Sequence, residues 1–454
     1  MELVDLLPLV MFASVAILLF TGYPVAFVLG GVALFFGFIG TGMGVFKPIE
    51  FFNLLPRIWG GIAENLVLVA VPLFVFMGTM LERSDVAADL LRALQVLLRR
   101  VPGGLALAVT LVGTIMAATT GIIGASVVML TLMALPVMLE RRYSHELATG
   151  TIAASGTLGI LIPPSIMLVI MADLLSLSVG NLFFAAVFPG LLLSGLYLLF
   201  IAAFATLRPA VAPPLASSEG PATRGELVAL LLRSFLPPTF LIVLILGSIF
   251  AGWATPTEAA AVGAAGTILL AALNGRLTLA ALVDVCERTG LTCAMIFFIF
   301  IGATAFSYVF RSLGGDYVVE DLIAASGLGD WGILFLVMAV VFVLGFFFDW
   351  VEITLIVLPI FAPLLKTLDF GDHVATPEMV YWFAILLAVN LQTSFLTPPF
   401  GFALFYMKGI CPPQVRLGEI YRGIAPFVIL QLLGLALCIA FPEIALWLPR
   451  KMLD

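Results

Sequence analysis

Three stretches put polar and helix-breaking residues where their neighbours are apolar. Thr119-Thr120-Gly121-Ile122-Ile123-Gly124-Ala125-Ser126 interrupts one long hydrophobic run. Ala154-Ser155-Gly156-Thr157-Leu158-Gly159 with Pro163-Pro164-Ser165 interrupts the next, and Asn390-Leu391-Gln392-Thr393-Ser394-Phe395-Leu396-Thr397-Pro398-Pro399 interrupts a third. Proline removes a backbone donor and frees a carbonyl one turn upstream. Glycine lets the backbone open without steric cost. In hydrocarbon a freed carbonyl needs a partner, so unwound backbone persists only against protein, water or an ion. Carbonyls and hydroxyls at such breaks make a low-charge oxygen cage, which is what a hard cation such as sodium (Na+) takes, and half-helix ends add fields of useful sign. The candidates at these breaks are Gly121, Ser126, Ser155, Gly156, Thr157, Gly159, Thr393, Ser394 and Thr397 for a metal, and Thr119, Thr120, Asn390 and Gln392 for a substrate, with a bound ion as the other partner open to Asn390 and Gln392. The competing reading is packing: small and hydroxyl residues are also the ordinary currency of membrane-helix interfaces.

Asp349 and Glu352 stand in Phe346-Phe347-Phe348-Asp349-Trp350-Val351-Glu352-Ile353-Thr354, three residues apart on one helical face. An acid at the bilayer centre costs about 2.5–3.5 kcal/mol on insertion scales. The pair therefore marks either a polar cavity that meets substrate, cation or proton, or a hairpin tip that is wet. Glu258, in Thr255-Pro256-Thr257-Glu258, opens a span after a proline and reads as a helix cap. His145 and His373 have no metal partner at ligand spacing, and the scattered Cys286, Cys293, Cys411 and Cys438 form no metal or disulfide pattern. No phosphate-cradling loop, nucleophile elbow or zinc motif occurs, which argues against ATP as an energy source within this chain.

The elements that must carry these residues follow from composition. Of 454 residues 63% are hydrophobic and 10% charged, against roughly 45–50% and 25% in soluble domains. Lipid must be the solvent. Runs such as 105–118 and 333–348 do not alternate, which excludes a spanning barrel. The expectation is an all-α polytopic membrane protein with about 10–12 spans. A net charge of −7 without a basic patch argues against nucleic acid. The N-terminal Met1-Glu2-Leu3-Val4-Asp5 lacks the basic start of a secretory signal, so the first apolar run reads as a retained span. The apolar segments 104–139, 331–366 and 380–409 are too long for single crossings and read as hairpins or broken helices. The piece 87–100 is amphipathic, suited either to the membrane interface or to covering other helices.

The chain reads as two similar halves, 1–207 and 235–454, joined by a linker at 208–234 whose proline- and serine-rich start suggests flexibility. Gly22-Tyr23-Pro24-Val25-Ala26, Thr131-Leu132-Met133-Ala134-Leu135-Pro136 and Ile162-Pro163-Pro164 recur in order as Ala254-Thr255-Pro256-Thr257-Glu258-Ala259, Thr354-Leu355-Ile356-Val357-Leu358-Pro359 and Thr397-Pro398-Pro399. Each half thus has a hairpin (about 104–139 and 331–366) and a Pro-Pro broken helix (about 145–175 and 380–409). Arg99-Arg100 and Arg141-Arg142 flank the first hairpin, whereas acids flank the second. Lys and Arg mark the cytoplasmic side, so the hairpins open to opposite sides and the repeats are inverted.

These residues also carry a family resemblance. Gly22-Tyr23-Pro24-Val25-Ala26, Pro72-Leu73-Phe74-Val75-Phe76-Met77-Gly78, Val101-Pro102-Gly103-Gly104-Leu105-Ala106, Gly156-Thr157-Leu158-Gly159-Ile160-Leu161-Ile162-Pro163-Pro164-Ser165, Thr255-Pro256-Thr257-Glu258-Ala259 and Asn390-Leu391-Gln392-Thr393-Ser394 together resemble the large membrane subunit of tripartite ATP-independent periplasmic (TRAP) transporters over nearly the whole chain. The first-hairpin turn departs from the family's usual Ser-Gly-Ser type. With Asp349-Trp350-Val351-Glu352 it is similar to the branch loosely labelled for mannitol or chloroaromatic compounds, a label that does not define the substrate. The resemblance implies an elevator-type, sodium-coupled importer of organic acids in the bacterial inner membrane. It implies two partners, a small four-helix membrane subunit (Q-type) and a periplasmic substrate-binding protein (P-type). Sodium ligands would lie at 119–126, 155–159 and 392–397. The alternatives are a proton-coupled carrier using Glu352 and an intramembrane enzyme using Asp349 and Glu352 as an acid pair.

Overall fold

The computed structural model describes residues 6–120, 123–214, 224–398 and 401–453, and every regular element among them is helical. In the first half the helices are α1 (Leu6–Leu19), α2 (Val25–Gly42), α3 (Leu54–Ile58), α4 (Ala70–Arg83), α5 (Val86–Leu97), α6 (Gly104–Thr120), α7 (Ile123–Glu140), α8 (His145–Thr157), α9 (Ile166–Leu175) and α10 (Val179–Leu207). The second half holds α11 (Arg224–Phe250), α12 (Pro256–Leu273), α13 (Leu279–Ser312), α14 (Gly315–Ser326), α15 (Asp330–Leu344), α16 (Trp350–Leu365), α17 (Thr376–Leu396), α18 (Phe402–Ile410), α19 (Leu417–Ala440) and α20 (Glu443–Leu453).

Among the described residues eight helices are long and apolar enough to cross a membrane, and four shorter apolar ones (α1, α9, α16 and the described part of α6) accompany them. The short pieces belong mainly to the hairpins α6–α7 and α15–α16 and to the interrupted helix α8–α9, where glycine and proline end a helix before it has crossed. α13 is the longest described helix, at 34 residues. At 1.5 Å per residue α13 is about 51 Å long, beyond a ~30 Å hydrocarbon core. Its first turns carry Asp284, Glu287 and Arg288, and Asp284 pairs with Arg83 of α4 at 2.5 Å.

Two sets of helices pack side by side. In one, α2 lies along α13, α4 along α12 and α13, and α11 against α12. In the other, α8 is surrounded by α6, α7 and α19, and α17 packs on α15, α19 and α10. Burial ranks them: the span window of α17 is 89% buried and that of α11 only 24%. A helix apolar on all sides is a core helix or a lipid-facing one, and these two are the extremes. Along α11, Leu232, Leu236, Phe240 and Val243 are exposed. The amphipathic α5 lays Ala87, Leu90, Leu91 and Leu94 against α6 and α11, which decides for the covering role.

Close backbone approach sets the inner set. A Cβ on Gly150 of α8 would stand 2.1 Å from the carbonyl oxygen of Gly423 in α19, and one on Gly423 would stand 2.1 Å from that of Glu146. Prolines inside helices free carbonyls that side chains then satisfy. Pro363 cannot bond the carbonyl of Pro359, and Arg311 from α13 donates to it instead. The Cys438 carbonyl, in the last turn of α19 where helical donors run out, takes the indole N–H of Trp382 at 2.8 Å.

Two features of the expected linker 208–234 are corrected. Its start is tied down, because Gly103 N–H donates to the Ala212 carbonyl at 3.0 Å and Ser144 N–H to that of Val211 at 2.9 Å, across the base of the first hairpin. Its end is helical from Arg224, where Leu230-Leu231-Leu232 already supply helix-forming apolar residues.

Candidate functional site

The two interruptions meet in the interior. α8 stops at Thr157, the chain makes one tight turn over Leu158–Ile160, and α9 starts only after Pro163-Pro164. Ser165 closes this gap by donating to the Ile160 carbonyl at 2.6 Å. On the other side α17 ends at Leu396, Thr397 is extended, and α18 starts at Phe402. Gln392 of α17 reaches across: its Nε2 donates to Thr157 Oγ1 and to the Tyr197 hydroxyl, each at 3.4 Å. Gln392, Thr157 and Tyr197 are all fully buried, and Gln392 Oε1 has no hydrogen-bond partner. A buried amide oxygen without a partner is rare. Thr151 of α8 adds a further buried, unpartnered hydroxyl to this inner set, and Gln431 of α19 is buried beside the Tyr197 hydroxyl.

The remaining polar residues hold helices. Ser155 donates to Thr110 Oγ1 of α6 at 3.3 Å, and the hydroxyls of Thr114 and Ser194 share a bond of 2.7 Å. Thr157, Thr393, Ser394 and Thr397 donate to carbonyls of their own helices, those of Ala154, Val389, Leu391 and Thr393 respectively. A hydroxyl that donates keeps acceptor lone pairs, so these oxygens can still face a cation. Asn390 points away from Gln392 and donates to the Met338 carbonyl of α15 at 2.8 Å. Gly156 lies against Val127 of α7, with Cβ room of only 2.6 Å, and Gly159 is buried in the tight turn. Ser126 is buried on α7. Gly121 lies outside the described residues, and so do the side chains of Thr119 and Thr120.

Asp349 and Glu352 cap α16. The Trp350 N–H donates to Asp349 Oδ1 at 2.8 Å and the Asp349 N–H to Glu352 Oε2 at 3.2 Å. This reciprocal cap is legible in Asp-x-x-Glu before an apolar run, as it was at Thr255–Glu258, where the Thr255 N–H donates to Glu258 Oε2 at 2.7 Å. Both acids remain partly exposed. Beside their turn lies a cavity of 730 Å³ bounded by Phe346–Phe348, by α18, by Val128 of α7 and by the end of α1.

Tyr197, Thr110, Gln431 and Tyr406 did not figure in the sequence reading. Tyr197 and Gln431 each stand alone in an apolar span, which is itself a signal. Thr110 and Tyr406 carry none that separates them from packing residues.

Hairpins and interrupted helices meeting inside an apolar bundle make the architecture of a membrane transport permease. The comparisons agree. The family model for the tripartite ATP-independent periplasmic transporter, DctM component, matches residues 12–444. The C4-dicarboxylate TRAP transporter large permease protein DctM of Pseudomonas aeruginosa is 31% identical over 86% of this chain and 87% of its own. The ectoine/5-hydroxyectoine TRAP transporter large permease protein UehC of Ruegeria pomeroyi is 30% identical over 96% and 97%. In fold, the chain is similar to the crystal structure of the Alcanivorax borkumensis YdaH transporter, with a TM-score of 0.62 at 15% identity, covering 89% of this chain and 90% of that one. The chain belongs to the DctM family of TRAP transporter large permeases. It is a multi-pass component of the bacterial inner membrane and a transporter permease, not an enzyme, which removes the acid-pair enzyme reading. The family is one component of a tripartite system that also uses a substrate-binding protein and a small membrane subunit.

Proposed function

We propose that this permease imports a small organic acid, coupled to sodium, by elevator movement of the inner helix set against the outer one. Its substrate arrives on a periplasmic binding protein, a small four-helix membrane subunit completes the membrane part, and the two halves are inverted repeats. The observation that carries sodium coupling is the junction of the interrupted helices. There Gln392 Oε1 is buried without a partner, among the neutral hydroxyls of Thr157 and Tyr197. Such a donor set, neutral oxygens beside unwound backbone, suits Na+. Ser155, Thr157, Ser394 and Thr397 would hold it with nearby carbonyls. Bound sodium would supply positive charge that favours an anionic substrate. Relatives named for C4-dicarboxylate and for ectoine support a small carboxylate-bearing cargo.

Uptake into proteoliposomes holding the chain and its small subunit, with binding protein outside, tests this. It should require a sodium gradient and the binding protein. Uptake that persists without either refutes the proposal. A second reading, proton coupling through Glu352, draws on that residue's place beside Asp349 with only a backbone donor for a partner. Normal coupling in Glu352→Gln removes it.

A further inference from the structure

Two side-chain hydrogen bonds reach from the outer helix set to the inner one. Asn65, in the segment between α3 and α4, donates from Nδ2 to Asp173 Oδ1 near the end of α9 at 2.6 Å. Arg311, at the end of α13, donates to the Pro359 carbonyl in α16. That carbonyl is free because Pro363 has no N–H to offer it. The two inner helices, α9 and α16, pack on each other. The two outer donors also belong together. Asn53 donates to the hydroxyl of Tyr308, one turn before Arg311, at 3.1 Å, and the Arg57 guanidinium lies 4.5 Å from the centre of the Tyr308 ring. Asn65 accepts from the Val67 N–H at 3.0 Å, and Thr257 of α12 donates to the Leu66 carbonyl at 3.1 Å. Asp316 of α14 stands 3.6 Å from the Arg311 guanidinium. Both donors are thus fastened to the outer set and are not free to follow α9 and α16.

These bonds sit where the packing is lopsided. The recurring proline motifs make α2 and α12, α7 and α16, and α9 and α18 counterparts in the two halves. Within each set the packing follows that exchange. α2 lies on α13 and α12 on α4, which makes α4 and α13 counterparts, and α7 lies on α18 as α16 does on α9. Between the sets the exchange fails. α13 packs on α16 and α4 on α9, but among the described residues their counterparts, α4 with α7 and α13 with α18, have little contact. The arginines differ in the same way. α4 ends in Arg83-Ser84 and α13 in Arg311-Ser312. Arg83 bonds within the outer set, to Asp284 of α13 at 2.5 Å, whereas Arg311 reaches across. On the elevator reading, a contact that one half makes and its counterpart lacks is made in one position of the inner set and lost in the other.

We infer that Asn65 and Arg311 form a clasp that holds α9 and α16 in the end position seen here, and that both bonds open before the inner set moves. The inference rests on the elevator and inverted-repeat readings above and names the positioning residues for that movement. Opening is within reach because the groups are not sealed off. Asp173 and Pro359 are half-buried and Arg311 is exposed, so water can replace each partner. Each bond should then bias the equilibrium between positions by about three- to tenfold.

The test uses the full chain co-purified with its small subunit in nanodiscs. Spin labels are placed at Tyr317→Cys on α14 and Phe441→Cys at the end of α19, both exposed positions, with Cys286→Ser and Cys411→Ser to clear the accessible thiols. Pulsed electron spin resonance reads the populations of inner-set positions from the distance between labels, and thermal unfolding reads Tm. Asp173→Ala and Arg311→Ala should each raise the minor population about three- to tenfold relative to the major one, and together by more than either alone. Asp173→Asn keeps an acceptor and Arg311→Lys keeps a donor, so these should restore most of the parent ratio. A ratio that the double alanine variant leaves unmoved or lowers, whatever the Tm, makes the bonds structural and overturns the inference. So does a ratio that the conservative variants move as far as the alanine ones. The two readings fail differently. Two distances in a fixed ratio sink the clasp alone, whereas one distance in the parent and every variant, in sodium and in choline buffer alike, sinks the elevator movement and the clasp with it.

Discussion

Gly156→Ala is the sharpest probe of how the first interrupted helix is held. The new Cβ would stand 2.6 Å from Val127 Cγ2 and 3.1 Å from Val127 Cα on α7. Carbon atoms sit comfortably at about 3.5–4.0 Å, so α7 and α8 would have to part by roughly 1 Å at the place where the first hairpin meets the break. Overpacking of this kind costs about 1–3 kcal/mol. Replacing glycine inside a helix returns about 1 kcal/mol. The net expectation is a loss of about 0–2 kcal/mol, with a larger loss of uptake because the hairpin is displaced from the break. Val127→Ala removes the closest atom and by itself costs roughly 1.5 kcal/mol or more for two buried methyl groups. In the double variant the methyl at 156 takes the vacated space, so the pair should be better than additive by about 1–2 kcal/mol. Rescue should be incomplete, since the Val127 Cα remains. Unfolding in detergent micelles gives the stabilities and proteoliposome uptake gives the function. Strict additivity, within about 0.5 kcal/mol, would show that the two helices do not press on one another here and would refute the reasoning.

Three further outcomes are expected. Trp382→Phe removes the indole donor to the Cys438 carbonyl in the last turn of α19. It should cost about 1–3 kcal/mol as that carbonyl is left buried and unpaired, a loss readable as a lower Tm. Asn390→Ala should destabilise by about 1–2 kcal/mol and loosen α15 from α17, seen as faster hydrogen exchange in α15. If it instead weakened substrate affinity with Tm unchanged, Asn390 would be a substrate contact and its bond to Met338 incidental. Glu258→Ala removes half of a reciprocal cap at an exposed helix start. It should cost about 1 kcal/mol or less and leave uptake rates unaltered; a collapse of uptake with normal stability would give Glu258 a role that its geometry does not show.

The sequence by itself determined the solvent, the secondary structure and the places where helices fail. These are local matters. Lipid admits only helices and closed barrels, so 63% apolar residues without alternation leave one class of fold. Pro163-Pro164 and Thr397-Pro398 announce their breaks through backbone chemistry that no partner can cancel. The cap at Glu258 was legible for the same reason, and the one at Asp349 followed the same pattern beneath a reading as functional acids. Tertiary structure alone decided what each polar residue touches. Asn390 and Gln392 are two positions apart, yet one bonds to α15 and the other reaches α8 and α10. Helical geometry turns neighbours about 200° apart, and only packing says what lies in each direction. The same holds for the aromatic cavity. Phe20, Phe347 and Phe405 come from distant parts of the chain, and in a sequence with 38 phenylalanines nothing but their convergence sets them apart from residues that face lipid.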